Sequence, residues 1–318
     1  MLGLLLFTVS FVAYLKTLCP TIYVGDSGEL ITAGSCLGIP HPPGYPIFVL
    51  LIKLTAIIMP FGSLAFRAAL TSAIAGAAGV LVLFRICLWV LDDGLSNSAP
   101  NAPGTSRKTL HADRRGPVAC ASAALAAGVF AFSMTFWSQT TVAEVYSLAL
   151  LFILLLFLLV FRWRISASEG VGETRLLLAA SFLGGLGLAS HHTVALLLAG
   201  LAIYVVAIRP RLLLKPGLLF GAIGFGLLGA SVHLYLAIRA GAAPPLNWGE
   251  PETFKAFVAH IFRQEYGSPS EVERTLSLFF KQSGYYVSQL LRQFTPLNVV
   301  LVVVGLVSLI KRLSLIHI

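Results

Sequence analysis

The chain has 318 residues, 57% hydrophobic and only 11% charged, with a net charge of +9 and a mean hydropathy of +0.88. It is far more apolar than an ordinary water-soluble domain, which excludes a soluble enzyme with a charged surface of its own. The basic residues fall in short clusters between apolar runs, with no aromatic-interleaved basic surface, and this excludes a nucleic-acid-binding module.

In chain order, hydropathy predicts spanning helices over residues 2–18, 66–91, 118–136, 146–162, 176–190, 193–208, 217–238 and 297–310. Crossing a hydrocarbon core takes roughly 20 helical residues. The first run lacks a basic n-region, and Leu18-Cys19-Pro20 offers no small-residue cleavage pattern, so it reads as a spanning helix rather than a cleaved leader. A further apolar stretch, residues 45–61, lies between His41-Pro42-Pro43-Gly44 and Pro60 and carries Lys53 at its centre.

If that stretch is interfacial or re-entrant and the N-terminus cytoplasmic, the basic clusters share the cytoplasmic side: Arg107-Lys108 with Arg114-Arg115, Arg162 with Arg164 and Arg175, Arg209 with Arg211 and Lys215, and Lys311-Arg312. A full span there would break the agreement, so an interfacial helix is expected, with Lys53 snorkelling to headgroups. Residues 19–65, 137–145 and 239–296 then form the non-cytoplasmic face, and residues 93–117 read as a flexible cytoplasmic loop. The expectation is an all-α membrane protein: one domain over residues 1–318, about eight spanning helices plus an interfacial helix after the first loop. There is no internal repeat of the kind expected of inverted-repeat transporters. The apolar tail after Lys311-Arg312 reads as a truncated C-terminus. Cys19, Cys36, Cys87 and Cys120 show neither CxxC nor Cys/His spacing, which argues against a zinc site or a disulfide scaffold.

The polar residues collect on the non-cytoplasmic face. Asp26 and Glu29 follow the first helix. They read either as a cap on a short helix beginning near residue 27 or as carboxylates dehydrated enough to serve as a general base. His41 sits in a turn stiffened by three prolines and a glycine, which either positions the imidazole or merely aims the next helix. Glu144, at the edge of a strongly apolar helix, faces a cavity or partner, or favours the helix dipole. The adjacent His191 and His192 suit a hydrogen bond to a phosphate or carboxylate better than a metal. Arg239 could fork a phosphate or snorkel, and Trp248 could be a belt residue.

These stretches together carry a resemblance: Asp26-Ser27-Gly28-Glu29 with His41-Pro42-Pro43-Gly44-Tyr45-Pro46, Phe136-Trp137-Ser138-Gln139 with Ala143-Glu144-Val145-Tyr146-Ser147, His191-His192-Thr193, and Pro244-Pro245-Leu246-Asn247-Trp248-Gly249 with Arg263-Gln264-Glu265-Tyr266-Gly267. In order and over nearly the whole chain, they resemble the transmembrane protein 260-like protein O-mannosyltransferase family. The resemblance implies a polytopic GT-C-type helical core and a polyprenyl-phosphate-linked sugar donor. It also implies a catalytic acid in the first non-cytoplasmic loop, matched by Asp26 with Glu29 as the nearby alternative. Mannose as the sugar comes from the resemblance alone. The turn at His191-His192 departs from the Asn-His type common in the family, and family chains generally continue further.

On this reading Arg239, His192, His191 and Arg263 would bind the donor phosphate, and His41, Glu144, Tyr146, Asn247, Trp248 and Tyr266 would line the substrate site. The expected partners are the lipid-linked donor, a protein or glycan acceptor and the bilayer, with no nucleic acid. No cofactor or metal is required. The expected location is a bacterial inner membrane or endoplasmic reticulum, with the site on the periplasmic or lumenal face. The rival reading is a proton-coupled transporter or lipid flippase using Glu144, His191 and His192, which the one-sided polar clusters disfavour.

Overall fold

Away from water, a backbone must pair its polar groups within its own segment, and the Leu-, Ala-, Val- and Phe-rich runs do so as helices. The computed structural model describes residues 1–96, 116–169, 173–267, 275–293 and 296–316. The helices are α1 (Leu2–Lys16), α2 (Ser27–Cys36), α3 (Pro46–Ile58), α4 (Leu64–Ser96), α5 (Pro117–Ala131), α6 (Met134–Thr140), α7 (Tyr146–Glu169), α8 (Glu173–Leu188), α9 (Val194–Ile208), α10 (Pro216–Ala230), α11 (Leu234–Ala240), α12 (Phe254–Ile261), α13 (Leu276–Gln293) and α14 (Pro296–Ile316). Among the described residues there is no strand, only one isolated parallel bridge between Ile39 and Asn247.

The protein is thus an all-α membrane protein, as expected. Among the described residues three helical stretches, Leu64–Leu91, Tyr146–Ser166 and Pro216–Ala240, are long and apolar enough to cross a bilayer. The number rises to five if each of two bent pairs, α5 with α6 and α13 with α14, is one span. Leu2–Lys16, Pro46–Ile58, Thr174–Leu188 and Val194–Ile208 are shorter apolar helices, so every stretch predicted to span lies on an apolar helix. The cytoplasmic loop expected at residues 93–117 falls mostly outside the described residues.

The chain forms two compact units, residues 1–132 with 136–265, and residues 133–135 with 266–318. In the first, α4 is the hub, packing against α1, α2, α3, α5 and α7. Its buried alanines Ala65, Ala68, Ala69, Ala73 and Ala77 belong to the same core as Ala123, Ala127 and Ala131, spaced four residues apart on α5. Small residues let helix backbones approach closely where no aqueous hydrophobic effect drives them together. Further cores join α7, α8 and α9 around Trp163, and join Ile39 in the first loop to Leu236 and Ala240 on α11.

The stretch predicted to be interfacial is α3, whose Phe48, Val49 and Ile52 are buried and which packs against α2 and α4. Lys53 differs from expectation: instead of reaching headgroups, its Nζ donates to the Ser35 carbonyl at 2.7 Å. The last carbonyls of a helix lack partners within it and draw cations, so the C-terminus of α2 captures this lysine.

Tyr14 ties α1 to α5. It is fully buried, and its hydroxyl donates to the Ala131 carbonyl at 2.8 Å. Tyr14→Phe leaves that carbonyl without this donor and is expected to lower stability by about 1 kcal/mol, measured by equilibrium unfolding in mixed micelles. An unchanged midpoint would mean the bond contributes nothing.

Candidate active site

The first loop folds around α2. Asp26 occupies the position just before the helix, but its side chain makes no capping hydrogen bond. Glu29, one turn in, does not reach back to the helix start either. Its Oε1 accepts from the His41 backbone N–H at 2.6 Å, and its Oε2 lies 2.8 Å from His41 Nδ1. On its other side, His41 Nε2 stands 3.0 Å from the Tyr45 hydroxyl and 3.7 Å from Asp26 Oδ2. The Asp26 side chain is 51% exposed, against 11% for His41 and 20% for Glu29, so Asp26 presents the open carboxylate of the group.

Burial alone would raise the Glu29 carboxyl, but the side-chain and backbone hydrogen bonds from His41 outweigh it and hold Glu29 below the ordinary 4.5. The same bond, working against burial, lifts His41 above the ordinary 6.5.

Glu144 lies behind Asp26. Its backbone exchanges hydrogen bonds with the Ser72 hydroxyl on α4, at 2.9 and 3.2 Å, and its carboxylate takes the backbone N–H groups of Asp26 and Val145. Burial, and then the charge of Asp26, push Glu144 up to about 7 in spite of those bonds.

The turn between α8 and α9 supplies the histidines. His191 is buried, with Nδ1 2.8 Å from the Thr193 hydroxyl. Its ring stacks on Tyr45 at 5.8 Å and on His192 at 4.3 Å, with Tyr146 5.5 Å away. Burial, then the electrostatic influence of the neighbouring His192 and of Arg263, lower His191 to about 4, so its imidazole is neutral at physiological pH. His192 is also lowered, by burial and by Arg263, whose Nη1 stands 3.1 Å from His192 Nε2.

The segment after α11 closes the site. The Ile39 N–H donates to the Leu246 carbonyl at 2.8 Å, and the Trp248 N–H donates to the Ile39 carbonyl at 3.1 Å, so Asn247 sits in the bridge that joins this segment to the first loop. The Trp248 indole N–H donates to Glu265 Oε2 at 3.0 Å, and its ring meets the His41 ring edge-on at 6.2 Å. His260 on α12 is 1% exposed and wedged between two turns. A Cβ on Gly44 would come within 3.1 Å of its Nε2, and one on Gly249 within 3.0 Å of its Nδ1. Both glycines have positive φ, +89° and +67°, which side-chain-bearing residues rarely adopt.

Arg239 departs from the phosphate-fork expectation. Its Nε donates to the Leu37 carbonyl at 2.8 Å and its Nη2 to the Cys36 carbonyl at 3.4 Å, so it serves, like Lys53, the C-terminus of α2. Tyr266 belongs to the second compact unit.

A continuous chain of contacts therefore runs from Asp26 through His41, Tyr45, His191 and His192 to Arg263. Asp26, Glu29 and His41 also offer ligand atoms within 4.8 Å of one another, close enough to hold a metal ion.

Residues 26–213 match the family model described as the Protein O-mannosyl-transferase TMEM260 N-terminal domain. The chain belongs to this family. A mouse protein named Protein O-mannosyl-transferase TMEM260 is 34% identical over 284 residues, 84% of this chain and 33% of the relative. A Dictyostelium discoideum protein named Protein O-mannosyl-transferase tmem260 is 28% identical over 328 residues, 96% of this chain and 36% of the relative. The chain spans about a third of the length of these relatives. No solved structure matches.

The TMEM260 family match begins at Asp26 and takes in Glu29, His41, Glu144, Tyr146, His191 and His192, whereas Arg239, Asn247, Trp248 and Arg263 lie beyond it. Sequence reasoning placed Tyr45, His260 and Glu265 within the polar motifs but assigned them no role in the site. Tyr45 directly follows the proline turn, and Glu265 lies two residues after Arg263; those neighbours were the available signals.

The Glu29–His41 pair gives a pH signature. Glu29 is lowered, so the stability it brings is present above 4.5 and lost as pH falls through its lower folded value. His41 is raised, so its contribution is full below 6.5 and lost as pH rises through its higher folded value. Glu29→Gln is therefore expected to destabilise most between those limits and less in alkaline buffer, read by unfolding of both proteins across pH. A deficit equal at all pH values would mean the pair carries no charge.

Proposed function

We propose that this chain forms the catalytic core of a membrane glycosyltransferase of GT-C type, moving a sugar, mannose by kinship, from a polyprenyl-phosphate carrier to a protein Ser/Thr hydroxyl. Both relatives are named protein O-mannosyl-transferases. The observation that carries the reading is the half-exposed Asp26 carboxylate at one end of the contact chain with the Arg263 guanidinium at the other. A base and a cation at opposite ends of one site suit a reaction that removes a proton at one atom and releases an anion at another.

In the proposed step, Asp26 takes the proton of the acceptor hydroxyl as that oxygen attacks the anomeric carbon. The bond from that carbon to the phosphate oxygen breaks, and the lipid phosphate leaves with the electron pair. One base suffices for direct displacement with inversion, whereas retention normally requires a second carboxylate as nucleophile. Glu29 is occupied by His41 and keeps that imidazole oriented beside Asp26. Glu144, tied to backbone N–H groups, positions the Asp26 segment. Arg263 and His192 receive the leaving phosphate, a planar guanidinium matching its oxygens. His191 and Tyr45 form the stacked wall between the two ends, with Tyr146 and Trp248 beside the acceptor and sugar.

The reaction on this reading uses no metal. The His41 Nδ1–Glu29 contact supports it, since it engages two of the three candidate ligands with each other. The basic clusters favour a multi-pass arrangement with the site on the periplasmic or lumenal face.

Transfer of labelled mannose from polyprenyl-phosphate-mannose to a Ser/Thr peptide tests the assignment. Asp26→Asn is expected to lose at least about 100-fold in rate with its unfolding midpoint retained, and chelator to leave the wild-type rate unchanged. Full turnover by Asp26→Asn would sink the base assignment. Arg263→Ala is expected to raise the KM for donor about tenfold, the loss of a charged hydrogen bond. A change confined to the peptide KM would move Arg263 out of the phosphate site.

A further inference from the structure

The second compact unit contains a helix that the reaction does not use. Along α13 (Leu276–Gln293), helical spacing puts Leu276, Phe279, Phe280, Val287, Leu290 and Leu291 on one side. Ser277, Lys281, Ser288 and Arg292 fall on the opposite side, with Gln282, Gln289 and Gln293 next to them; Leu278 on the polar side and Ser283 on the apolar side are the exceptions. The helix contains no acidic residue, and none of its residues is buried. Phe279 and Phe280 are 61% and 68% exposed. A helix so strongly segregated does not hold its apolar face in water, and this face has no protein cover among the described residues.

The next helix says what covers it. Within the same unit, α13 meets the apolar stretch Asn298–Ser308 of α14 at 111°, about 20° from perpendicular. That stretch carries Val300, Leu301, Val302, Val303, Val304 and Leu306, all more than half exposed, as expected of a helix surrounded by lipid. With α14 crossing the bilayer, a helix at this angle to it lies close to the membrane plane.

We infer that α13 is a membrane-surface helix, its Phe279/Phe280/Val287 face seated at the headgroup–acyl boundary and its Lys281/Arg292 ridge in water. Many polar residues overall, one aromatic and aliphatic face, and basic residues on the other are the features of a helix that lies in the interface rather than spanning it. The apolar face depends on no sequence-specific protein partner: its occupant is the lipid bilayer.

The test uses the 318-residue chain in phosphatidylcholine–phosphatidylserine nanodiscs, with the native cysteines replaced and spin labels introduced singly at Phe280, Val287 and Leu290, and at Lys281, Ser288 and Arg292. The expected result is that the first three labels collide with oxygen and are shielded from a water-soluble nickel chelate, and that the other three show the reverse. All three apolar-face labels should report one shallow depth. Labels on that face that are immobile and shielded from both reagents would show a protein cover, such as the remainder of a longer chain, and overturn the inference. Equal nickel accessibility on both faces would place α13 in water, and depth rising steadily along the helix would make it part of a broken span; either outcome also overturns it. Radical footprinting of the unmodified chain in the same discs gives an independent reading. Phe279 and Phe280 are expected to be protected while Tyr285, on the polar side, is oxidised; oxidation of all three alike would refute the placement.

Discussion

A ten-residue helix packed among apolar neighbours cannot leave its last carbonyls to water, and what satisfies them governs where its first residue points. In α2, Lys53 takes the Ser35 carbonyl, and Arg239 takes those of Cys36 and Leu37. One cation comes from the following helix and the other from a helix about two hundred residues away. Together they fix the end of α2 opposite to Asp26. The bonds between Glu29 and His41 then fix the middle of α2 against the proline turn. Asp26 is thus the exposed tip of an element held everywhere else, the condition under which a single carboxylate can be aimed without being buried.

Charge is separated along the contact chain that starts there. At the α2 end, His41 leans toward its cationic form between two acids. Further along, burial keeps His191 and His192 neutral, and the next cation is Arg263. A neutral, stacked middle keeps the two ends from neutralising each other. Glu144, pushed up to about 7 by burial and by Asp26, touches the Asp26 backbone directly.

The family match ends at Leu213, before α10 begins, yet the segment after α11 contributes the Ile39–Asn247 bridge, Trp248, His260 and Arg263. Residues inside and outside the matched region are joined by backbone hydrogen bonds rather than by side-chain contacts alone. The first loop and this later segment form one structural unit around His260, which fills the space between two glycine turns.

The sequence by itself determined the helical membrane architecture. Apolar runs must pair their backbone internally, and that requirement acts on each segment separately. It also marked Asp26, Glu29, His41, Glu144 and the two adjacent histidines, because ionisable residues beside apolar helices are costly enough to stand out. Only the tertiary structure decided which partner each one meets. Lys53 and Arg239 looked like residues bound for headgroups or phosphate, and the carbonyls at the end of α2 claimed both. Tyr45 and His260 lay within the polar motifs but were given no role, since their partners His191 and Gly249 are brought to them only by packing. Pairings of this kind depend on contacts between residues far apart in the chain, which local pattern does not encode.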